Sequence, residues 1–338
     1  MNQIEEAYHK ILQPSDDLIS DMTKLEGDII ILGAGGKMGP ALAKLARQAV
    51  GKAGLSNKIT AVSRFSELGL EDELNQAGVE TISADLMDEN QLQKLPDAQN
   101  ILYMAGTKFG TTGNEPYTWA MNSYLPGRVA QKYKNSRIVV FSTGNVYPLT
   151  SVNQGGAAED HITEPVGEYA QSCLGRERIF QYYSEKNNTP ILIYRLNYAS
   201  DVSYGVLLDI AKAVDKEVPI DLSMGNVNVI WQGDANEMAL RAFHHCEVPA
   251  KILNITGPET ASVKWIAREF GKLFNKTPQF INEEKPTALL SNAAESFQLF
   301  GYPKVPLKKM MELMKSWVIY GGKTLDKPTQ FQERKGQF

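Results

Sequence analysis

DIIILGAGGKMG, residues Asp28 to Gly39, decides the fold. Four apolar residues, Ile29 to Leu32, run straight into glycines, and PALAKLARQAV follows with helical spacing. A short apolar run bounded by a turn signal reads as a buried strand, so the glycines stand at a strand-to-helix turn. Gly33, Gly36 and Gly39 have the spacing GxxGxxG. The first suits a tight turn at positive φ. The second lets an anionic group approach the backbone, and the third lets the helix pack close to the strand. The helix start adds free N–H groups and a partial positive charge. Gly33, Gly35, Gly36, Lys37, Met38 and Gly39 are therefore expected to cradle the phosphates of a dinucleotide.

The same rhythm continues outward. KITAVSR, VETISADL, NILYMAG, RIVVFST and PILIYRLN read as strands separated by helical stretches. Strands alternating with helices imply βαβ units and a parallel sheet covered on both faces. The expected fold is α/β, a doubly wound parallel sheet with a smaller, mostly helical C-terminal substrate lobe. Residues 1–26 read as an N-terminal helical arm and 27–200 as the dinucleotide-binding domain, with a returning segment near 227–250. VNVIWQGD within it looks like a strand rejoining the sheet. Residues 201–226 and 251–325 form the lobe, and the polar stretch 326–338 reads as a flexible tail.

Composition narrows the partners. A net charge of -4 over 338 residues speaks against a general nucleic-acid binder, which would carry a basic patch. No apolar run approaches a membrane span, and the acidic N-terminus does not read as a targeting peptide. Two cysteines, Cys173 and Cys246, fit a reducing compartment. Together these imply a cytoplasmic protein with a small-molecule partner. No His/Cys cluster has metal-ligand spacing, so no metal is expected.

The end of the second strand bears on the cofactor. An acidic side chain there would bind a ribose 2′-hydroxyl, but the sequence has Ser63 and Arg64. Arg64 can pair with a 2′-phosphate, which favours NADP over NAD. Asp85 and Leu86 close the third strand, where the carboxylate either meets the adenine edge or caps a helix. Asp234 in QGDAN reads as a helix N-cap.

FSTGNVYP places Ser142 and Thr143 at the carboxyl end of the fifth strand, with Asn145 just beyond, and EYAQSCLGRE places Tyr169 at the start of a helix. Ligands of open α/β sheets bind outside the carboxyl ends of the strands, so both segments can face one crevice. GxxGxxG, then Ala105-Gly106, then S-T-x-x-V-Y, then Y-x-x-S-x-L-x-x-E together resemble the extended short-chain dehydrogenase/reductase family, the NAD-dependent epimerase/dehydratase group, over about 28–318. The resemblance implies a Rossmann sheet and a bound NAD(P), with Ala105, Gly106, Tyr169 and Asn197 beside the cofactor. It makes Tyr169 the acid/base and Thr143 the hydroxyl anchor. Thr107, Thr143, Asn145 and Tyr198 are the candidate substrate contacts. The group also implies a homodimer through the helices holding Trp119 and Tyr169.

One position departs from the pattern. The group has Lys four residues after the tyrosine; this chain has Cys173. A nearby ammonium favours the phenolate, and a thiol does not. Cys173 reads as a buried apolar residue, with a nucleophile as the alternative. Arg176, roughly on the same helix face, is a candidate replacement cation. The expected function is hydride-transfer oxidoreductase, epimerase or dehydratase chemistry on a sugar-like or other hydroxylated molecule. The alternative is a catalytically impaired NAD(P)-binding sensor or interaction protein on the same fold.

Overall fold

The computed structural model describes residues 3–327 and 329–338; Met1 and Asn2 of the expected arm lie outside them. Seven parallel strands form the central sheet: β1 Ile29–Leu32, β2 Ile59–Ser63, β3 Glu80–Ser83, β4 Asn100–Tyr103, β5 Arg137–Thr143, β6 Ile191–Leu196 and β7 Lys251–Ile255. Their order is β3-β2-β1-β4-β5-β6-β7. The order reverses between β1 and β4, and their register pairs Leu32 with Tyr103. That reversal opens a crevice at the carboxyl edge.

All four residues of β1 are buried, because helices cover both faces. On one side lie α2 (Asp16–Met22), α3 (Gly39–Lys52) and α10 (Gln232–Arg241). On the other lie α5 (Glu89–Lys94), α7 (Leu125–Lys132) and α8 (Gly167–Asn187). Each fully buried Ile or Leu contributes about 1.5–3 kcal/mol relative to exposure, so a continuously apolar strand is stable only in this sandwiched position.

The seventh strand comes from Lys251–Ile255, inside the span expected for the lobe. It pairs along β6 from Lys251↔Leu192 to Ile255↔Leu196. The VNVIWQGD stretch does not enter the sheet. Ile230 and Trp231 pair instead with Ala199 and Ser200, just beyond β6. The lobe has its own core, in which α9 (Val206–Asp215), α11 (Val263–Phe274) and α13 (Leu307–Tyr320) bury Ile210, Phe270 and Met314. From the N-terminal helix α1 (Gln3–Ile11), Tyr8 packs on the Trp317 ring at 5.5 Å and donates to Asp201 Oδ2 at 3.0 Å. Among the described residues no helix is long and apolar enough to cross a membrane.

Candidate active site

A crevice of about 1370 Å³ runs along the carboxyl edge of the sheet and over the lobe. The glycine loop forms one wall. Gly33 has φ +87°, and a Cβ there would lie 2.6 Å from the Ala105 amide nitrogen. A Cβ on Gly39 would overlap the Ala34 carbonyl. Gly36 differs: its added Cβ would meet nothing nearer than the Gly33 oxygen at 3.5 Å. Gly36 is thus not needed for packing within the chain, and its missing side chain leaves room beside the backbone. Met38 precedes α3 without capping it, so no side chain competes with a ligand for the helix N-terminus. This arrangement fits a dinucleotide phosphate.

The other expected cofactor contacts divide. Gly35, Lys37, Met38, Gly106 and Asn197 line the crevice with Gly33 and Gly36. Ala105 is buried beneath the loop against Gly33. The Ser63 hydroxyl lies where a Gly35 side chain would be. Arg64 is exposed and makes no ion pair among the described residues. Asp85 lies outside the lining; its carboxylate accepts the Met87 N–H at 2.9 Å, while Asp88 caps α5. Leu86 is buried in the core. Asn197 donates to Asn228 Oδ1 at 2.9 Å and so ties β6 to the lobe.

Tyr169, Thr143 and Asn145 line the same crevice. Thr143 ends β5, and its hydroxyl accepts from Asn145 Nδ2 at 2.9 Å. Its side chain also favours ionisation of the neighbouring Tyr169 phenol. Ser142, next to it, is already engaged: it donates to Glu177 Oε1 at 2.5 Å. Glu177 is paired in turn with Arg195 at 2.7 Å, and Arg195 donates to the Tyr147 hydroxyl at 2.6 Å. Ser142 and Thr143 both line the crevice, and Ser142 is the one that spends its hydrogen on a carboxylate.

Helix α8 starts at Gly167, so Tyr169 projects from its first turn. Cys173, one turn later, is fully buried with Val146, Tyr147 and Ala157. Burial pushes its thiol up, away from thiolate. Burial likewise raises the Tyr169 phenol well above its ordinary value; Cys173 adds to the rise, while Arg176 and Thr143 oppose it. Arg176 donates to the Phe141 carbonyl and to Asn122 Oδ1, each at 2.8 Å.

Asn122 organises the loop after β4. It accepts the Thr107 N–H at 2.9 Å and donates to the Thr107 carbonyl at 2.8 Å. It sits in a π-helical turn, Ala120–Tyr124, between α6 (Glu115–Trp119) and α7. Pro126 explains the wide turn, because it lacks an N–H and its ring crowds the carbonyl four residues back. Asp234 is not an N-cap. It lies within the first turn of α10 and accepts the Val305 N–H at 3.0 Å.

Two groups that sequence reasoning did not place, Lys108 and the C-terminal segment, enter the site beside the expected Lys37. Lys108, on the loop held by Asn122, lies 5.4 Å from the Tyr169 ring centroid. Lys37 lies 3.6 Å above the Tyr204 ring. The segment expected to be a flexible tail runs along the lobe and across the crevice. Arg334 donates to the Thr287 carbonyl at 2.7 Å. Gly336 abuts Gly167, where a Cβ on either would strike the other strand of backbone. The Phe338 carbonyl accepts from the amides of Thr111 and Thr112, both at 3.1 Å, and its ring meets Tyr169 edge-on at 5.5 Å. The Tyr198 hydroxyl, an expected substrate contact, donates to the Phe331 carbonyl at 3.4 Å. Among the described residues no group of three or more His, Cys, Asp or Glu is placed to hold a metal.

Comparison with known proteins agrees with this geometry. The NAD dependent epimerase/dehydratase family profile matches residues 29–200. No curated protein matches the chain. Among solved structures, UDP-glucuronic acid 4-epimerase from Bacillus cereus in complex with NAD is 19% identical with a TM-score of 0.70, over 88% of this chain and 100% of that one. UDP-glucose 4-epimerase from Thermotoga maritima with UDP-glucose is 13% identical with a TM-score of 0.71, over 87% and 99%. dTDP-glucose 4,6-dehydratase from Bacillus anthracis with NAD is 16% identical with a TM-score of 0.73, over 87% and 96%.

Proposed function

The chain belongs to the NAD dependent epimerase/dehydratase family, and from that premise we propose that it is an NAD(P)-dependent oxidoreductase, epimerase or dehydratase acting on a sugar derivative. One observation carries the reading: the glycine loop, Thr143 and Tyr169 line a single crevice. A bound dinucleotide would accept and donate hydride at a substrate carbon. The protein's own residues handle the proton. Thr143 would hold the substrate hydroxyl against the Tyr169 oxygen. The Tyr169 phenolate would take the hydroxyl proton as the carbon gives up hydride, and the phenol would return it in the reverse direction. Thr107, Asn145 and Tyr198 would face the rest of the substrate.

NADP is the proposed dinucleotide, because Arg64, just past β2, is exposed and makes no ion pair among the described residues, which suits it to a 2′-phosphate. We also propose a cytoplasmic homodimer that binds neither nucleic acid nor membrane. Tyr117, Trp119, Tyr124 and Tyr182, exposed on α6, the π turn and α8, support a helical interface. Light scattering that returned a monomer would overturn the dimer.

The test is fluorescence titration with NADPH and NADH, followed by assays with UDP-glucose, UDP-glucuronate and dTDP-glucose. Binding that favours NADPH, and its loss of preference in Arg64→Ala, would support the reading. Failure of both dinucleotides to bind would remove it. A second reading, a dinucleotide-binding sensor, is favoured by the Phe338 ring against Tyr169. Tight cofactor binding with no turnover of any sugar nucleotide would support it.

A further inference from the structure

We propose that Lys108 supplies the positive charge that makes Tyr169 an acid/base, taking the place of a lysine on α8. This rests on the role given to Tyr169 above. A phenol desolvated in a crevice resists ionisation, and a cation is what reverses that resistance. Helix α8 offers none one turn on, since Cys173 there is buried and neutral. Arg176 already favours ionisation of the Tyr169 phenol from the α8 side, but its two terminal nitrogens are fixed on Phe141 and Asn122, so it cannot follow the phenol oxygen.

Lys108 is differently situated. It comes from the other side of the crevice, on the loop that Asn122 fastens through both the N–H and the carbonyl of Thr107. Its ammonium lies over the Tyr169 ring at 5.4 Å and over the Phe338 ring at 4.2 Å. Among the described residues it makes no hydrogen bond or ion pair, so no carboxylate competes for its charge. The phenol oxygen belongs to that same Tyr169 ring, and lysine is a point charge on a flexible four-carbon stem. The ionisable groups facing this pair are Cys173 and Arg176 on α8 and Lys37 on the glycine loop. Desolvation lowers the Lys108 ammonium to about 8, which leaves it charged at neutral pH. Lys108 acts on the proton through Tyr169, so it is a positioning residue for the chemistry.

The experiment replaces Tyr169 with a fluorinated tyrosine, which ionises in an accessible range, and follows its titration by fluorine NMR without cofactor or substrate. The parent is compared with Lys108→Met and Lys108→Arg. The proposal expects the Met variant to weaken the phenol as an acid by about tenfold or more, and the Arg variant to stay near the parent. Adding Cys173→Lys to Lys108→Met should restore the parent titration. An unchanged titration in a folded Lys108→Met protein would overturn the proposal, as would equal shifts in the Met and Arg variants. Since no dinucleotide is present, this result is separate from the cofactor test: a protein that binds no NAD(P) can still pass it, and one that binds can fail it.

Discussion

The Ser142 hydroxyl donates to Glu177, and Glu177 neutralises Arg195, so a buried chain of charge and hydrogen bond underlies the candidate active site. Both ions are almost wholly excluded from solvent. Removing one partner of such a pair leaves the other charge buried. Glu177→Gln should therefore cost about 3–5 kcal/mol in urea unfolding, and Ser142→Ala only about 1 kcal/mol. Equal losses in the two variants would show that Glu177 does not compensate Arg195.

Tyr169→Phe keeps the ring that packs on Phe338 and removes only the hydroxyl. Turnover should fall by about 10² or more, with dinucleotide affinity unchanged. Full turnover in the variant would assign the proton to another group.

The glycines of the loop should fail in two different ways. A methyl on Gly39 would meet the Ala34 carbonyl, so Gly39→Ala should lower stability and binding together. A methyl on Gly36 meets only ordinary contact. Gly36→Ala should melt like the parent, while dinucleotide binding weakens about tenfold or more, through loss of close backbone approach. Parent-like binding by Gly36→Ala would place the phosphates elsewhere.

Asp234 gives a pH signature. Burial, reinforced by Glu237, raises its carboxyl from 3.8 to about 6, against the Val305 N–H and Lys304. Between those values the folded state holds more protons than the unfolded one, so stability falls as pH rises through that window and stays lower above it. Asp234→Asn can still accept from Val305 but carries no charge to desolvate. Relative to the parent it should gain about 1–3 kcal/mol between pH ~4 and ~7. Parallel pH curves from urea titrations would reject this account.

The sheet and half of the site were legible because their signals are local. Ile29–Leu32 followed by glycines specifies a strand, a turn and a helix within one short window. Thr143 and Tyr169 were singled out by motif spacing at the end of β5 and the start of α8, and they line one crevice. What escaped depended on distant partners. KILNI reads as a strand, but nothing in it says that it extends β6 instead of serving the lobe. Lys108 sits in an aperiodic loop, and its place beside Tyr169 is set by Asn122 across the π turn. The last ten residues are polar enough to read as loose, because the acceptors of Arg334, at Ser223 and Thr287, lie far back in the chain.

The contact of Phe338 with Tyr169 has a consequence for measured affinities. A ligand that must displace the Phe338 ring to reach the Tyr169 oxygen competes with this contact. Its observed dissociation constant is then the intrinsic constant divided by the fraction of molecules in which the ring has moved aside. Phe338→Ala raises that fraction, so it should tighten substrate analogues while leaving the adenine end of the dinucleotide indifferent. The residue would thus discriminate between ligands by how deeply they penetrate, without forming a bond to any of them.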